Sequence, residues 1–443
     1  MIKINILIPI NMNTIFINII AAVLLCFLSV ACDEHLDSTR IDSSVEIVLE
    51  WGDSGQVPDL TDATLTFRNI NTGAVSVLPL GSGMISIESG LYDISLHAKA
   101  VMPNGVSTEI KAQTQSATIS GENCRITLKP FYMGVNDDFI ISEVFFTGTL
   151  QPSGNQYYGD DYIKLYNNTD HLLYADGLTI FESKFLTTDK YEYTPDIMDQ
   201  AMTVHALYTI PGSGHDHPVQ PGEFLLIADT GIDHKVINPN SFDLSGADFE
   251  WYDVSTKPAH MDIDSPTVPN LDKWYCYTLS FWVLHNRGFK AYGIARIPVD
   301  KSQYLKDYWY SYDYTIVVPA GSFPMSQSAY RLPNEWIVDV VNCSVQAEYE
   351  WNVCHPSLDM GWTHCGTIDH DKSRYFHSVR RKLAGFSESG YPIYQDTNNS
   401  SEDFNSFVVP SEIEIQQTAM DIYGTKCGNR TYDGVVPVTD TRK

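Results

Sequence analysis

The sequence predicts an all-β protein of two β-sandwich units, and three observations carry that prediction. Apolar and polar residues alternate at period two in Val45-Glu46-Ile47-Val48-Leu49-Glu50, Ala63-Thr64-Leu65-Thr66-Phe67-Arg68 and Tyr92-Asp93-Ile94-Ser95-Leu96-His97-Ala98, the mark of half-buried strands. Turns bearing Gly or Asn separate these runs at short intervals, and no long 3.6-period stretch intervenes, as in a sandwich rather than a helical chain. Composition agrees: 443 residues, 43% hydrophobic and 19% charged, suit two or three globular domains with cores of their own.

In chain order, Ile15 to Val30, IFINIIAAVLLCFLSV, is an apolar run broken only by Asn18 and Ser29, short for a membrane-spanning helix and right for the core of a signal peptide. It ends in Leu28-Ser29-Val30-Ala31-Cys32, which resembles the lipobox of bacterial lipoproteins. The resemblance implies a signal peptide over residues 1–31 and diacylation of Cys32, anchoring the mature chain in lipid. Cleavage without lipidation and a stop-transfer anchor are the alternatives. Residues 32–44 read as an acidic and polar tether. Its start, Asp33-Glu34-His35-Leu36-Asp37, resembles the signal that sends Bacteroidota-type lipoproteins to the outer face of the outer membrane. Exposure at the cell surface is the expectation, with a periplasm-facing location the alternative.

Residues 45–132 form the first predicted unit, a small β-sandwich. Gly90-Leu91-Tyr92-Asp93-Ile94 resembles the opening strand motif of prealbumin-like and carboxypeptidase-regulatory-like domains, usually spacers or presentation modules.

Residues 138–412 form the second. Within it Asp160 to Phe181, DDYIKLYNNTDHLLYADGLTIF, reads as strands joined in a hairpin by a polar turn at Asn167-Asn168-Thr169-Asp170. The blocks run in order: Phe139-Ile140-Ile141-Ser142-Glu143, then Asp160 to Asp170, Leu172 to Phe181, and Gln220 to Ala228. Trp282 to Gly288, Trp336 to Val341, His377 to Arg381 and Asp396 to Phe404 follow. This series resembles the lamin-tail domain, which implies an immunoglobulin-like sandwich. Asp161 and Lys164 stand where that family usually has Glu, and Gly177-Leu178 stands for Gly-Trp. Long insertions near 182–219, 229–277 and 342–376 shift any binding to loops particular to this chain. Residues 413–443 are left as a C-terminal extension.

A net charge of −27, from 28 Lys+Arg against 55 Asp+Glu, repels phosphate backbones and excludes nucleic acid as a partner. No G-x-S-x-G, H-E-x-x-H, P-loop or G-x-G-x-x-G occurs, and no carboxylate pair stands out as acid and base, so no enzyme and no cofactor is expected. Candidate ligands for Zn²⁺ or Ca²⁺ are His205, His215 and His217, with Asp262 and Asp264; H-x-H on a strand aims both rings to one side. A solvated loop is the plainer reading. Cys343, Cys354, Cys365 and Cys427 are disulfide candidates, since a chain exported from the cytoplasm pairs its thiols.

Aromatic residues make up 12% of the chain, and the run Tyr308-Trp309-Tyr310-Ser311-Tyr312-Asp313-Tyr314 is hard to bury on both faces of a strand. Tyr308, Trp309, Tyr310, Tyr312 and Tyr314 are therefore the predicted ligand- or partner-binding surface. The lipobox and the two domains together look like a Bacteroidota lipoprotein family that accompanies TonB-dependent receptors. The expected function is a non-enzymatic, outer-membrane accessory to such a receptor in nutrient uptake. An adhesin or envelope-structural protein, and a secreted metal-dependent hydrolase, are the alternatives.

Overall fold

A computed structural model describes residues 42–51, 58–81, 83–101, 107–134, 136–254, 262–278 and 281–416. Cys32 and the signal segment, most of the tether, Cys427 and nearly all of the C-terminal extension lie outside the described residues. The described chain is all-β, with a few short helices.

The first unit comprises β1 (Asp42–Leu49), β2 (Leu60–Asn69), β3 (Val75–Pro79), β4 (Ile85–Glu88), β5 (Gly90–Val101), β6 (Ser107–Ile119), β7 (Cys124–Leu128) and β8 (Phe131–Tyr132). A sheet of order β4-β1-β7 faces one of order β3-β2-β5-β6-β8. The period-two pattern decides which side faces in: Tyr92, Ile94, Leu96, Ala98 and Ala100 of β5 are buried, while His97, Lys99 and Val101 are exposed. Ile94 and Leu96 pack with Leu65, Phe67 and Ala112, and each such aliphatic chain contributes about 1.5–3 kcal/mol through the area it removes from water.

The second unit comprises β9 (Ile140–Phe145), β10 (Tyr162–Tyr166), β11 (Leu178–Ser183), β12 (Ala201–Thr209), β13 (Phe224–Ala228), β14 (Phe249–Glu250), β15 (Asp272–Cys276) and β16 (Ala291–Arg296). After helix α1 (Lys301–Asp307) come β17 (Trp309–Val318), β18 (Gly321–Pro333), β19 (Ile337–Ser344), β20 (Thr363–His364), β21 (Ser378–Arg381) and β22 (Phe404–Val408). One sheet has the order β14-β13-β10-β9-β21-β22. The other has the order β17-β18-β12-β11-β16-β19-β20, with β15 also pairing β12. Phe146, Ile163, Leu165, Ile180, Tyr208, Trp251, Trp282 and Tyr292 share the core between them.

The segment Asp160 to Phe181 is not a hairpin. β10 pairs with β9 and β13, whereas β11 pairs with β12 and β16 in the opposite sheet. Asn167 to Asp170 therefore begins a crossover between sheets. Asn167 holds it, its Nδ2 donating to the carbonyls of His171 and Val219 while its Oδ1 accepts from the Thr169 N–H. Local pattern names the strands, but only the hydrophobic faces of the whole unit choose their partners.

Buried charge clamps the two sheets together. Arg381 of β21 is fully buried; its Nε donates to the Ile141 carbonyl of β9 at 2.8 Å, and its Nη2 to Asp339 of β19 at 2.6 Å. Nη1 reaches Asp396 at 3.0 Å, with Asp403 at 3.6 Å. Burial works against this charge, and the carboxylates of Asp339, Asp396 and Asp403 outweigh it, holding the guanidinium pKa above its ordinary value. Replacing Arg381 by Met keeps the volume and strands three carboxylates, so it is expected to cost about 3–5 kcal/mol in urea denaturation; a loss below about 1 kcal/mol contradicts the clamp.

A second buried polar group is under-satisfied. Asp161 has no exposed surface, and among the described residues neither carboxylate oxygen finds a hydrogen bond. The Gly148 N–H faces it outside hydrogen-bonding geometry. Burial, then Asp160 and Asp229 nearby, push its pKa well up; burial likewise lifts Asp160 to about 6 against hydrogen bonds from Ser241 and Thr149. An unfolded Asp titrates near about 3.9, so the folded chain holds the extra protons and Asp160 withdraws stability as pH rises from about 4 to about 6. Asp161, also raised, has the same sign. Asp161→Asn is expected to raise stability by about 1–3 kcal/mol at pH ~8 and to change little at pH ~4, read by urea denaturation at both.

Candidate functional site

Where the two sandwiches meet, a cleft of about 570 Å³ opens, within the size range of small-ligand sites. β6 of the first unit supplies one wall, with Gln113, Thr114 and Gln115. The other wall belongs to the second unit and is aromatic. After β11 the chain makes the excursion 184–200, whose Tyr191-Glu192-Tyr193 alternates so that both rings meet β17. Thr194 exchanges both backbone hydrogen bonds with Asp313 of β17 at 2.9 Å each, which fixes that approach.

Tyr193 is the centre of the wall. It lies parallel on Phe185 at 3.9 Å and near-parallel to Trp351 at 6.2 Å, and meets Tyr312 and Tyr314 at 5.4 and 5.5 Å. Tyr191 packs on Tyr314 at 5.1 Å. Trp351, from the segment after β19, is held by Nε1 donating to the carbonyls of Leu186 and Asp189 at 2.8 and 3.2 Å. Such tilted and offset contacts add about 0.5–1.5 kcal/mol each beyond area burial. The wall is therefore pre-formed, and a ligand meets ring faces already locked in place.

The polar groups are mostly acceptors and amides. Gln115 is committed, donating to the Tyr349 hydroxyl at 2.7 Å and accepting from the Asn352 N–H at 3.0 Å. Gln113 Nε2 donates to the Met360 carbonyl at 3.1 Å, while Gln113 Oε1 and the Thr203 hydroxyl have no partner among the described residues. Glu50, Glu192, Asp196 and Asp199 line the cleft against Lys129 and Lys190, and Lys129 is spent in an ion pair with Asp199. Burial keeps the Tyr193 and Tyr310 phenols protonated and pushes the His355 imidazole below its ordinary pKa, so neither ring type adds charge at neutral pH. The excess of carboxylates disfavours anionic ligands.

Strand alternation divides the predicted aromatic run. Tyr310, Tyr312 and Tyr314 share one face of β17, with Tyr310 lining the cleft, Tyr312 buried and Tyr314 half-buried behind Tyr191. Trp309 takes the opposite face against Tyr275 and Tyr330. Tyr308 precedes the strand and stacks on Tyr304 at 5.2 Å. These five residues do not make one surface, because period two sends neighbours to opposite sides. The partners that complete the wall, Phe185, Tyr191, Tyr193 and Trp351, escaped the sequence reading. The alternation in Tyr191-Glu192-Tyr193 is the signal that locates two of them.

The proposed metal ligands do not converge; among the described residues no three His, Cys, Asp or Glu side chains form a metal-sized group. His205 stacks on Tyr277 at 3.7 Å with both ring nitrogens facing ammonium groups, Lys184 and Lys290, at 3.3 Å. Burial and then these cations push its pKa down to about 2. His215 packs on Tyr174, and His217 meets the edge of Phe249. Asp262 caps the N–H groups of Asp253 and Ile263, and Asp264 accepts from Asn270. The acidic loop Asp396 to Asp403 is likewise a closed turn, Asp403 accepting from the N–H groups of Thr397 and Asn399.

Cys343, Cys354 and Cys365 are free and buried rather than paired, as is Cys276. They serve as small apolar fillers: Cys343 and Cys365 in the core between the sheets and Cys354 in the cluster beneath the aromatic wall. Burial raises their thiol pKa values.

Residues 220–411 match the family described as "Protein of unknown function (DUF4876)". The crystal structure of a DUF4876 family protein from Bacteroides thetaiotaomicron is similar at 19% identity and a TM-score of 0.49, over 84% of this chain and 96% of that one. No curated protein matches the chain. For the thiols, alkylation of native protein is expected to label Cys124, which is partly exposed, and to reach Cys276, Cys343, Cys354 and Cys365 only after denaturation without reductant; a failure to label any of those four in denaturant means a disulfide.

Proposed function

We propose that the protein is a non-enzymatic, ligand-binding lipoprotein of the outer-membrane surface, an accessory to a TonB-dependent receptor. The observation that supports the binding role is the aromatic wall of the cleft between the sandwiches. Two of its components, 184–200 and the segment carrying Trp351, fall in the stretches that the sequence marks as insertions between the strand blocks. Ring faces beside amides, hydroxyls and carboxylates suit a neutral ligand rich in hydroxyl groups, such as an oligosaccharide: rings cover its C–H faces while acceptors take its O–H donors. Location and lipidation rest on the sequence to Cys32. The metal-dependent hydrolase has no ligand cluster among the described residues to work with.

The test is calorimetric titration of the full chain with a panel of neutral oligosaccharides. Tyr310→Ala and Tyr191→Ala are each expected to weaken binding by up to about tenfold, with the ligand recovered chemically unchanged. Absence of heat with every member, or binding indifferent to both substitutions, rejects the cleft. Affinity purification from outer membranes is expected to recover a TonB-dependent barrel with the wild type, and Cys32→Ser is expected to release the protein from the membrane.

A further inference from the structure

The β17–β18 hairpin runs on past the body of the protein. β18 pairs β12 only from Tyr330 to Pro333, and β17 touches the 184–200 excursion through the Asp313–Thr194 bridge. Beyond that bridge Tyr314–Val318 and Gly321–Met325 pair only with each other among the described residues. Five residues of extended strand reach about 17 Å.

This projection is uncharged in a strongly acidic protein: from Tyr314 to Tyr330 no side chain carries charge. Exposed apolar side chains also stand on both of its faces. Register pairs Ile316 with Phe323 and Tyr314 with Met325 on one side, and Val317 with Ser322 and Thr315 with Pro324 on the other. Val317 is 74% exposed, Phe323 49%, Val318 41% and Met325 37%. A protein partner of ordinary shape covers one face of a hairpin; a tip with Val317 on one face, Val318 and Phe323 on the other and Pro319-Ala320 at its end is matched by a medium that surrounds it. Tyr314, at the base, is a ring type that settles at a membrane–water boundary.

We infer that the tip of this hairpin, Val317 to Phe323, inserts into the headgroup and upper acyl region of an uncharged lipid bilayer. The open edges of a two-stranded ribbon bar deeper entry, since unpaired backbone groups are not tolerated in hydrocarbon. A depth of about 5–10 Å takes in the exposed valines, the Pro319–Ala320 turn and Gly321 to Phe323. The net charge of −27 sets the lipid class: anionic headgroups repel the body of the protein, so phosphatidylcholine and phosphatidylethanolamine are favoured. This inference stands on the hairpin alone and is independent of the cleft.

The test places one reporter on each face, as Phe323→Trp and Val317→Trp in the full chain, reconstituted in phosphatidylcholine vesicles with and without acyl-chain bromination. Both positions are exposed, so both variants retain the wild-type circular dichroism. The emission added by each new Trp is expected to fall about twofold or more in brominated vesicles; a third reporter, Val318→Trp, is quenched likewise, and adding Val317→Asp with Phe323→Asp to that third variant abolishes its quenching. Quenching of neither reporter, or of one face only, overturns the inference. So does a result in which both reporters stay unquenched in vesicles and become shielded only in outer-membrane extracts, which assigns the tip to a protein partner.

Discussion

Arg381 reaches from one sheet of the large sandwich to Asp339 on the other, and the placement of the later elements depends on that contact. The same Asp339 carboxylate accepts from the Ile141 N–H, while Arg381 donates to the Ile141 carbonyl. Three strands are thus set in register by one buried pair. The two Nη1 donors of the guanidinium are used by the Gln395 carbonyl and Asp396, and Asp403 closes the turn that carries Asp396. A buried charge of this kind adds little net stability compared with an apolar replacement, yet it is costly to break, so it specifies an arrangement more than it strengthens one.

With the sheets fixed, the long insertions have a firm base, and their order comes from local bonds rather than from the core. The 184–200 excursion is tied to β17 through Thr194 and Asp313 and to the Trp351 segment through the indole N–H. The first unit approaches from the other side through side-chain amides, Gln113 and Gln115. A joint made of hydrogen bonds leaves space that an apolar joint would fill, and the cleft is that space. Its walls differ because they come from different units: a polar strand face on one side, stacked rings on the other.

Much of this was legible residue by residue. The alternation in β5 and the apolar run of β9 announce strands, and the blocks Ser142-Glu143, Val338-Asp339, Ser378 to Arg381 and Asp396 to Phe404 announce a related set. The structure gives those blocks a physical meaning, for Glu143, Asp339, Arg381, Asp396 and Asp403 all belong to buried charge networks. Pairing was less legible. The crossover after Tyr166 looks like a hairpin locally, since Asn and Asp turn chemistry serves either arrangement. Cys343, Cys354 and Cys365 depart from the expectation that exported chains pair their thiols, because each is buried with no other thiol bonded to it.

The sequence by itself determined the all-β fold class and the aromatic wealth of the Tyr308 to Tyr314 segment. Those properties are written in composition and in periods of a few residues. Only the tertiary structure decided that Tyr310, Tyr312 and Tyr314 face Tyr193 and Trp351 while Trp309 faces away, and that His205 lies between two lysines instead of beside other metal ligands. The reason is distance along the chain: a site assembled from residues 113, 193, 310 and 351 depends on how sheets stack and units meet, and no local pattern encodes that.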